Sequence, residues 1–201
     1  MSTINRFELS RAIGRFRAIK LSLGGRRAAA VTIAVLTTDG EPAIWLTERS
    51  ASLRAHPSQF AFPGGRIDPN ETAAEAALRE LEEELGVHAH HGQIIGELDD
   101  FATESGFVIT PFVVWIGDFT GTLHPNPAEV AHVHTVTMDE VDADPRFVTD
   151  PRVDAPILQW PFRDVDVHAP TAAILYQFRE VVLRRRHTRV AHVGQPVFAW
   201  Q

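Results

Sequence analysis

The chain has 201 residues, 44% hydrophobic and 22% charged, the make-up of an ordinary soluble globular protein: one domain of about 150 residues or more, with extensions. A net charge of −7 argues against bulk nucleic-acid binding while leaving room for a local basic pocket for phosphates, and the lack of cysteine excludes disulfides, thiolate catalysis and cysteine-based zinc sites and fits a cytoplasmic protein. No apolar run approaches the ~18 residues of a membrane span and no signal-peptide hydrophobic region opens the chain, so neither membrane nor nucleic acid is expected as a partner.

In chain order, residues 1–27 carry Arg6, Arg11, Arg15, Arg17, Lys20, Arg26 and Arg27 and read as an N-terminal helix and loop packing on a main domain at 28–190, which a tail at 191–201 follows. The apolar run AAAVTIAVL (28–36), the Asp39-Gly40 turn and PAIWLTE (42–48) predict a hairpin of buried strands. The polar stretch 49–65 predicts a loop, a short strand at Phe60-Ala61-Phe62 and then Gly64-Gly65, whose missing side chains permit unusual backbone geometry and close approach to a ligand. A helix follows, capped by Asn70 or Thr72, with Thr72 and Glu75 at capping-box spacing and Gly86 as its stop. VHAHHGQ is a turn, QIIGELDDF (93–101) a strand, and GFVITPFVVWIG (106–117) a β-rich run in which Pro111 points to an edge or a bulge. A proline-interrupted loop at 123–133 carries Glu129 ahead of a strand at HTVTM. ILQWPF and DVDVHA near 157–168 predict a last hairpin, and TAAILYQFREVVLRRRH (171–187) an amphipathic closing helix.

On a helical wheel Ala74, Leu78, Leu81 and Leu85 form one apolar stripe for the core, Glu80, Glu83 and Glu84 converge on a second sector, and Glu75, Glu82 and Arg79 fall on a third. Like charges stacked this way cost about 0.2–0.5 kcal/mol per close pair unless a cation sits among them. Hard oxygen ligands select Mg2+ or Mn2+, ions that complete their shells with water and substrate phosphate. Ala73, Ala76 and Ala77 lie on the glutamates' sector, where small side chains leave a substrate room. A merely solvated acidic face accounts for Glu75 and Glu82, but not for the double glycine or the arginine beside Glu80.

Gly65, Glu71 and Arg79-Glu80-Leu81-Glu82-Glu83-Glu84-Leu85-Gly86-Val87 together resemble the Nudix box of the Nudix hydrolases at all nine defined positions over 23 residues. The resemblance implies an α/β fold, an α/β/α sandwich with a mixed central sheet, and metal-dependent hydrolysis of a small molecule in which a nucleoside diphosphate is linked to another moiety. By position it implies metal ligation at Glu80, Glu83 and Glu84, with a backbone carbonyl from Gly65, and Arg79 with Glu71 as the pair that orients them. Members of the family take a further carboxylate from a loop after the central strands, and Glu129 or Glu104 would fill that place. Glu80 or Glu129 would then be the general base, with Glu84 spent as a bridging ligand.

The segment LTERSASLRAHPSQFAFPGG (46–65) is similar to the extra motif of the coenzyme A diphosphatase branch, matching at Leu46, Thr47, Arg49, Ser50, Leu53, Arg54, His56, Gln59, Phe62, Pro63, Gly64 and Gly65. Ser58 stands where that branch has glycine, a change costing of order 1 kcal/mol if the position needs φ > 0. The similarity implies cleavage of coenzyme A to 3′,5′-ADP and 4′-phosphopantetheine. Arg49 and Arg54 would supply bidentate donors for the phosphates, and His56, Gln59 and Gly64 further contacts. A hydrolase of ADP-ribose, dinucleotides or nucleoside triphosphates would keep the box without needing Arg54, His56 and Gln59, and a non-catalytic nucleotide-binding regulator is a third reading. A homodimer is compatible with the sequence. His88, His90 and His91 read as solvated turn residues, and Arg184-Arg185-Arg186 as a helix terminus complementing its dipole.

Overall fold

The computed structural model describes residues 4–51 and 59–197, so Arg54, His56 and Ser58 lie outside the described residues. Helix α1 (Arg6–Ile13) is capped by the Asn5 side chain, which accepts from Glu8 N at 3.0 Å. It buries Leu9, Ala12 and Ile13, with Phe16 following. Strands β1 (Arg27–Thr38) and β2 (Glu41–Arg49) form the expected antiparallel hairpin, and positive φ at both Asp39 (52°) and Gly40 (81°) makes the turn the tight type that matches strand twist.

Short strands β3 (Phe60–Ala61) and β4 (Gly64–Arg66) lead to helix α2 (Ala73–Leu85). Its ends follow the sequence closely: Thr72 and Glu75 form a reciprocal capping box, and Gly86 closes the helix at φ 70°. After a 3-10 turn (His91–Gln93) come β5 (Ile94–Glu97), β6 (Phe101–Ala102), the long β7 (Phe107–Asp118), β8 (Val130–Thr137), a one-turn α3 (Met138–Val141), β9 (Arg146–Asp150), β10 (Val153–Phe162), β11 (Val165–His168) and α4 (Thr171–Phe178).

The main sheet is mixed. β2, β1 and β7 lie side by side, β1 and β7 are parallel, and β3 and β8 add to β2, β4 to β1, and β5 and β6 to β7. Both faces of β1 are covered, which is why its sequence reads as a continuous apolar run. Ala30, Ala34 and Leu36 join Trp45 and the inner side of α2, whereas Ile33 and Val35 join Leu46, α1, α4 and the second, three-stranded sheet β9–β10–β11. Helices on both sides of a mixed sheet make the α/β/α sandwich expected from the resemblance.

Three expectations are corrected. Pro111 lies at neither an edge nor a bulge but inside the central β7, paired in register with Val31; its carbonyl accepts from Leu98 N at 3.0 Å, so the proline, which has no N–H to give, sits where the ladder passes from β5 to β6. The closing helix is buried all round rather than amphipathic, and it passes at Arg179–Leu183 into a π-helical turn that ends before Arg184. Arg179 and Glu180, 5% and 2% exposed, pair with each other at 3.0 Å, and Asp144 holds Arg179 as well. Ala76 and Ala77 do not open onto a substrate. They are fully buried between α2 and the sheet, where Thr32 Oγ1 donates to Ala77 O at 2.8 Å.

Candidate active site

The site is built where α2 crosses the double glycine. Gly64 and Gly65 keep ordinary negative-side backbone angles, so their role is close approach and not conformational freedom. A methyl group at Gly65 would come within 2.5 Å of Glu80 Cδ and nearer still to its Oε1, while one at Gly64 would strike the Ala30 carbonyl and lie 2.7 Å from Val31 Cα. β4 therefore pairs closely along β1 in the sheet, and the Glu80 carboxylate packs directly against Gly65. The Gly64 N–H donates to Glu84 Oε1 at 3.3 Å.

The third carboxylate arrives from the loop after β7. The last carbonyls of a helix lack partners within it, and here His124 N donates to Leu85 O and Asn126 N to Glu84 O, both at 2.9 Å. Asn126 Nδ2 then donates to Glu129 Oε1 at 3.3 Å. The result is a cluster in which carboxylate oxygens of Glu80, Glu84 and Glu129 all lie within 4.8 Å of one another. Glu104 is elsewhere, lining a separate cavity near Gln195, so of the two candidate loop carboxylates it is Glu129 that joins the group.

Arg79 folds back across the helix and grips Glu71 with two bonds, Nε to Oε1 at 2.8 Å and Nη2 to Oε2 at 3.1 Å, while its Nη1 donates to Glu80 Oε1 and Glu83 Oε2, each at 2.9 Å. Glu83 thus departs from the helical-wheel grouping. Its side chain is 56% exposed and turned to Arg79 as an i,i+4 pair, sharing Nη1 with Glu80 but lying outside the cluster of Glu80, Glu84 and Glu129. Hydrogen bonding to Arg79 holds the Glu71 carboxyl below its ordinary range, and the same contacts push the Arg79 guanidinium further up.

Burial pushes Glu84 up to about 8, with Glu80 and Glu129 adding to the shift and the Gly64 N–H and Arg49 opposing it. Burial also raises Glu80, against the pull of Arg79. Carboxylates crowded into a covered corner resist ionisation together until a cation joins them. An all-carboxylate oxygen set at this spacing, with Glu80 seated where a glycine leaves it room, fits a hard divalent cation.

Beside the cluster lies a cleft of about 420 Å³. Its floor is one face of β4, β1 and β7, alternating Gly64 and Arg66, then Arg27, Ala29 and Val31, then Phe107 and Ile109. Arg49 and Gln59 line it as the sequence suggested, and Arg49 Nε is buried with no hydrogen-bond partner among the described residues. The sequence reading missed Arg27, Arg66, Phe107 and Thr103, which also line the cleft. Only the alternation of β1 could have flagged Arg27, and nothing in the sequence places β7 beside it.

His88 bonds Glu82 at 3.0 Å in an exposed pair away from the cluster. Arg184, Arg185 and Arg186 are ion-paired to Asp142, Glu8 and Glu180, so carboxylates and not the helix end hold them. No helix among the described residues is long and apolar enough to cross a membrane.

The family model for the NUDIX domain matches residues 26–160, which include the whole cluster and all of the cleft's lining except Pro170 and Thr171. Nudix hydrolase 3 of Caenorhabditis elegans is 42% identical over 117 residues, covering 57% of this chain and 49% of that protein. The uncharacterized Nudix hydrolase NudL of Yersinia enterocolitica is 39% identical over 137 residues (66% and 69%). The mouse peroxisomal coenzyme A diphosphatase NUDT7 is 34% identical over 110 residues (54% and 46%). The chain spans about half the length of the worm and mouse relatives. Among solved structures, the Nudix hydrolase RenU of M. smegmatis superposes with a TM-score of 0.54 at 22% identity over 82% of this chain and 91% of that one, a likeness of fold. With its box seated on α2, its mixed-sheet sandwich and a family match over most of its length, the chain belongs to the Nudix hydrolase family.

Proposed function

We propose that the protein is a divalent-metal-dependent diphosphatase that cleaves the pyrophosphate of coenzyme A or its derivatives to 3′,5′-ADP and 4′-phosphopantetheine. The observation that carries this reading is the meeting of Glu80, Glu84 and Glu129 against Gly64 and Gly65, at the side of a cleft that Arg49 and Gln59, both from the 46–65 motif, line. Glu80 and Glu84 would hold Mg2+ or Mn2+, with Glu83 and the Gly65 carbonyl completing the set and Glu129 left free beside them, and the ion would neutralise charge on the leaving phosphate and acidify a water.

The rest is the chain's own work. Arg79 fixes Glu80, and Glu71 fixes Arg79, so the ligand is oriented before substrate arrives. Glu84 is held by the Gly64 N–H and is spent as a ligand. Glu129 has no cationic partner among the described residues and takes the water's proton. Arg49, with an unused buried Nε, donates to the bound diphosphate, and Arg54 and His56 are assigned supporting contacts from their motif positions. The cysteine-free composition suits a reducing, cytoplasmic setting.

The test is to incubate the purified protein with Mn2+ and coenzyme A, ADP-ribose, NADH and ATP in parallel and identify products by mass. The expected result is 3′,5′-ADP and 4′-phosphopantetheine, with coenzyme A turned over best. Preferred cleavage of ADP-ribose, NADH or ATP would overturn the substrate assignment, and no metal-dependent turnover of any of them would point to the regulator reading.

A further inference from the structure

Arg27 and Arg66 both sit against one ring on the floor of the cleft, their guanidinium carbons 4.1 and 5.7 Å from the centroid of Phe107. Neither forms an ion pair among the described residues, whereas Arg79, Arg152, Arg179 and Arg184 each hold a carboxylate. Two like charges gathered at one aromatic ring with no counter-ion among the described residues invite an anion, the converse of the acidic cluster beside the cleft.

The local backbone is built to keep them there. Arg27 N donates to Gly106 O at 3.0 Å, and Thr103 Oγ1 accepts from Phe107 N at 2.9 Å, which fixes the turn that carries the ring. Along β4, Arg66 lies two residues from Gly64, a rise of about 7 Å at ~3.3 Å per residue. A diphosphate against Glu84 and Gly64 would therefore have the arginines one sugar ring away.

We propose that Arg27 and Arg66, held on Phe107, bind a second phosphate of the substrate, a phosphomonoester on the ribose, and so select nucleotides carrying one over those that lack it. This rests on the diphosphatase reading for its biological sense, but its test does not depend on turnover. Equilibrium binding of adenosine 3′,5′-bisphosphate and of AMP is measured by calorimetry on wild type, Arg27→Gln, Arg66→Gln and Arg146→Gln, the last an exposed arginine paired to Asp166 on the second sheet.

In wild type the bisphosphate binds about 10-fold or more tighter than AMP, as charge-assisted bonds to a second phosphate require. Arg27→Gln and Arg66→Gln bring the ratio to within about 3-fold without weakening AMP, and Arg146→Gln leaves it unchanged. Equal binding of the two nucleotides by wild type, or equal losses for both in the cleft variants, overturns the inference. Failure of the diphosphatase reading would appear separately, as uncleaved coenzyme A in the product assay. In steady state, coenzyme A is expected to outrun its 3′-dephospho form by a similar factor, and the two variants to erase that preference.

Discussion

The backbone N–H of Asn126 donates to the carbonyl of Glu84 at 2.9 Å, and this bond to the end of α2 brings Glu129 beside the glutamates of the box. The Asn126 side chain adds a second hold, accepting from Ala128 N at 3.1 Å and donating to Glu129 at 3.3 Å. Asn126→Ala keeps the backbone bond but frees the Glu129 carboxylate. Turnover is expected to fall about 10- to 100-fold, the cost of a misplaced catalytic group, while the melting temperature changes little. Thermal unfolding and kcat measured on the same preparation check it, and wild-type kcat would remove Glu129 from its assigned role.

Glu84 should make the metal-free protein lose stability as pH rises. Its folded pKa lies at about 8, above the ordinary 4.5, so the folded state binds the proton more tightly than the unfolded one. The stabilisation is complete below about 4.5 and is lost progressively as pH rises to about 8. Glu84→Gln removes this slope: melting temperatures of the two proteins should stay close at pH 4.5 and diverge in favour of the variant by at least about 4 °C at pH 8.5, given ~2–4 °C per kcal/mol for a chain of this size. Adding Mn2+ should raise the wild-type value at pH 8.5 and leave the variant almost unmoved. Parallel pH profiles would contradict the burial of this carboxylate.

The two glycines should respond differently to the same methyl group. At Gly65 the obstacle is the movable end of Glu80, whereas at Gly64 it is the backbone of β1. Gly65→Ala is expected to fold normally and lose about 10- to 100-fold in Mn2+ affinity through a displaced Glu80. Gly64→Ala is expected to lower the melting temperature outright, as forced backbone shifts do. Metal titration and thermal unfolding of the pair distinguish the two effects, and similar behaviour of both variants would refute the packing account.

Much of this corner was legible in the sequence because its signals are local. Thr72 with Glu75 writes the start of α2, Gly86 its end, and the spacing of Glu80 and Glu84 places both on one side. What escaped depends on partners distant in sequence. Glu129 was named as a candidate from the sequence, but what decides for it over Glu104 is a pair of backbone bonds from His124 and Asn126 that leave no side-chain signature. Glu83 was grouped with its neighbours by angle, yet a flexible side chain beside Arg79 follows the charge. The parallel pairing of β1 with β7, which brings Phe107 to Arg27, has no local signature either. The closing helix looked amphipathic because Arg179 and Glu180 satisfy each other inside the protein, so charged residues stood at buried positions.

Arg79 acts through its planar fork, and lysine cannot reproduce two bonds to Glu71 with a third to Glu80. Arg79→Lys keeps the charge but loosens Glu80, so Mn2+ affinity should fall about 10-fold with a parallel loss in kcat/KM. Calorimetric Mn2+ titration checks this; an unchanged affinity would make Arg79 a surface ion-pair residue.

The most direct measurement is Mn2+-dependent turnover of coenzyme A by wild type and Glu84→Gln side by side, with the fold of each verified by circular dichroism. The variant should keep its spectrum and lose at least about 10³-fold in kcat, since ligand and charge vanish together from the centre of the cluster. A correctly folded variant that still cleaves at the wild-type rate would contradict the assignment of these carboxylates to the chemistry.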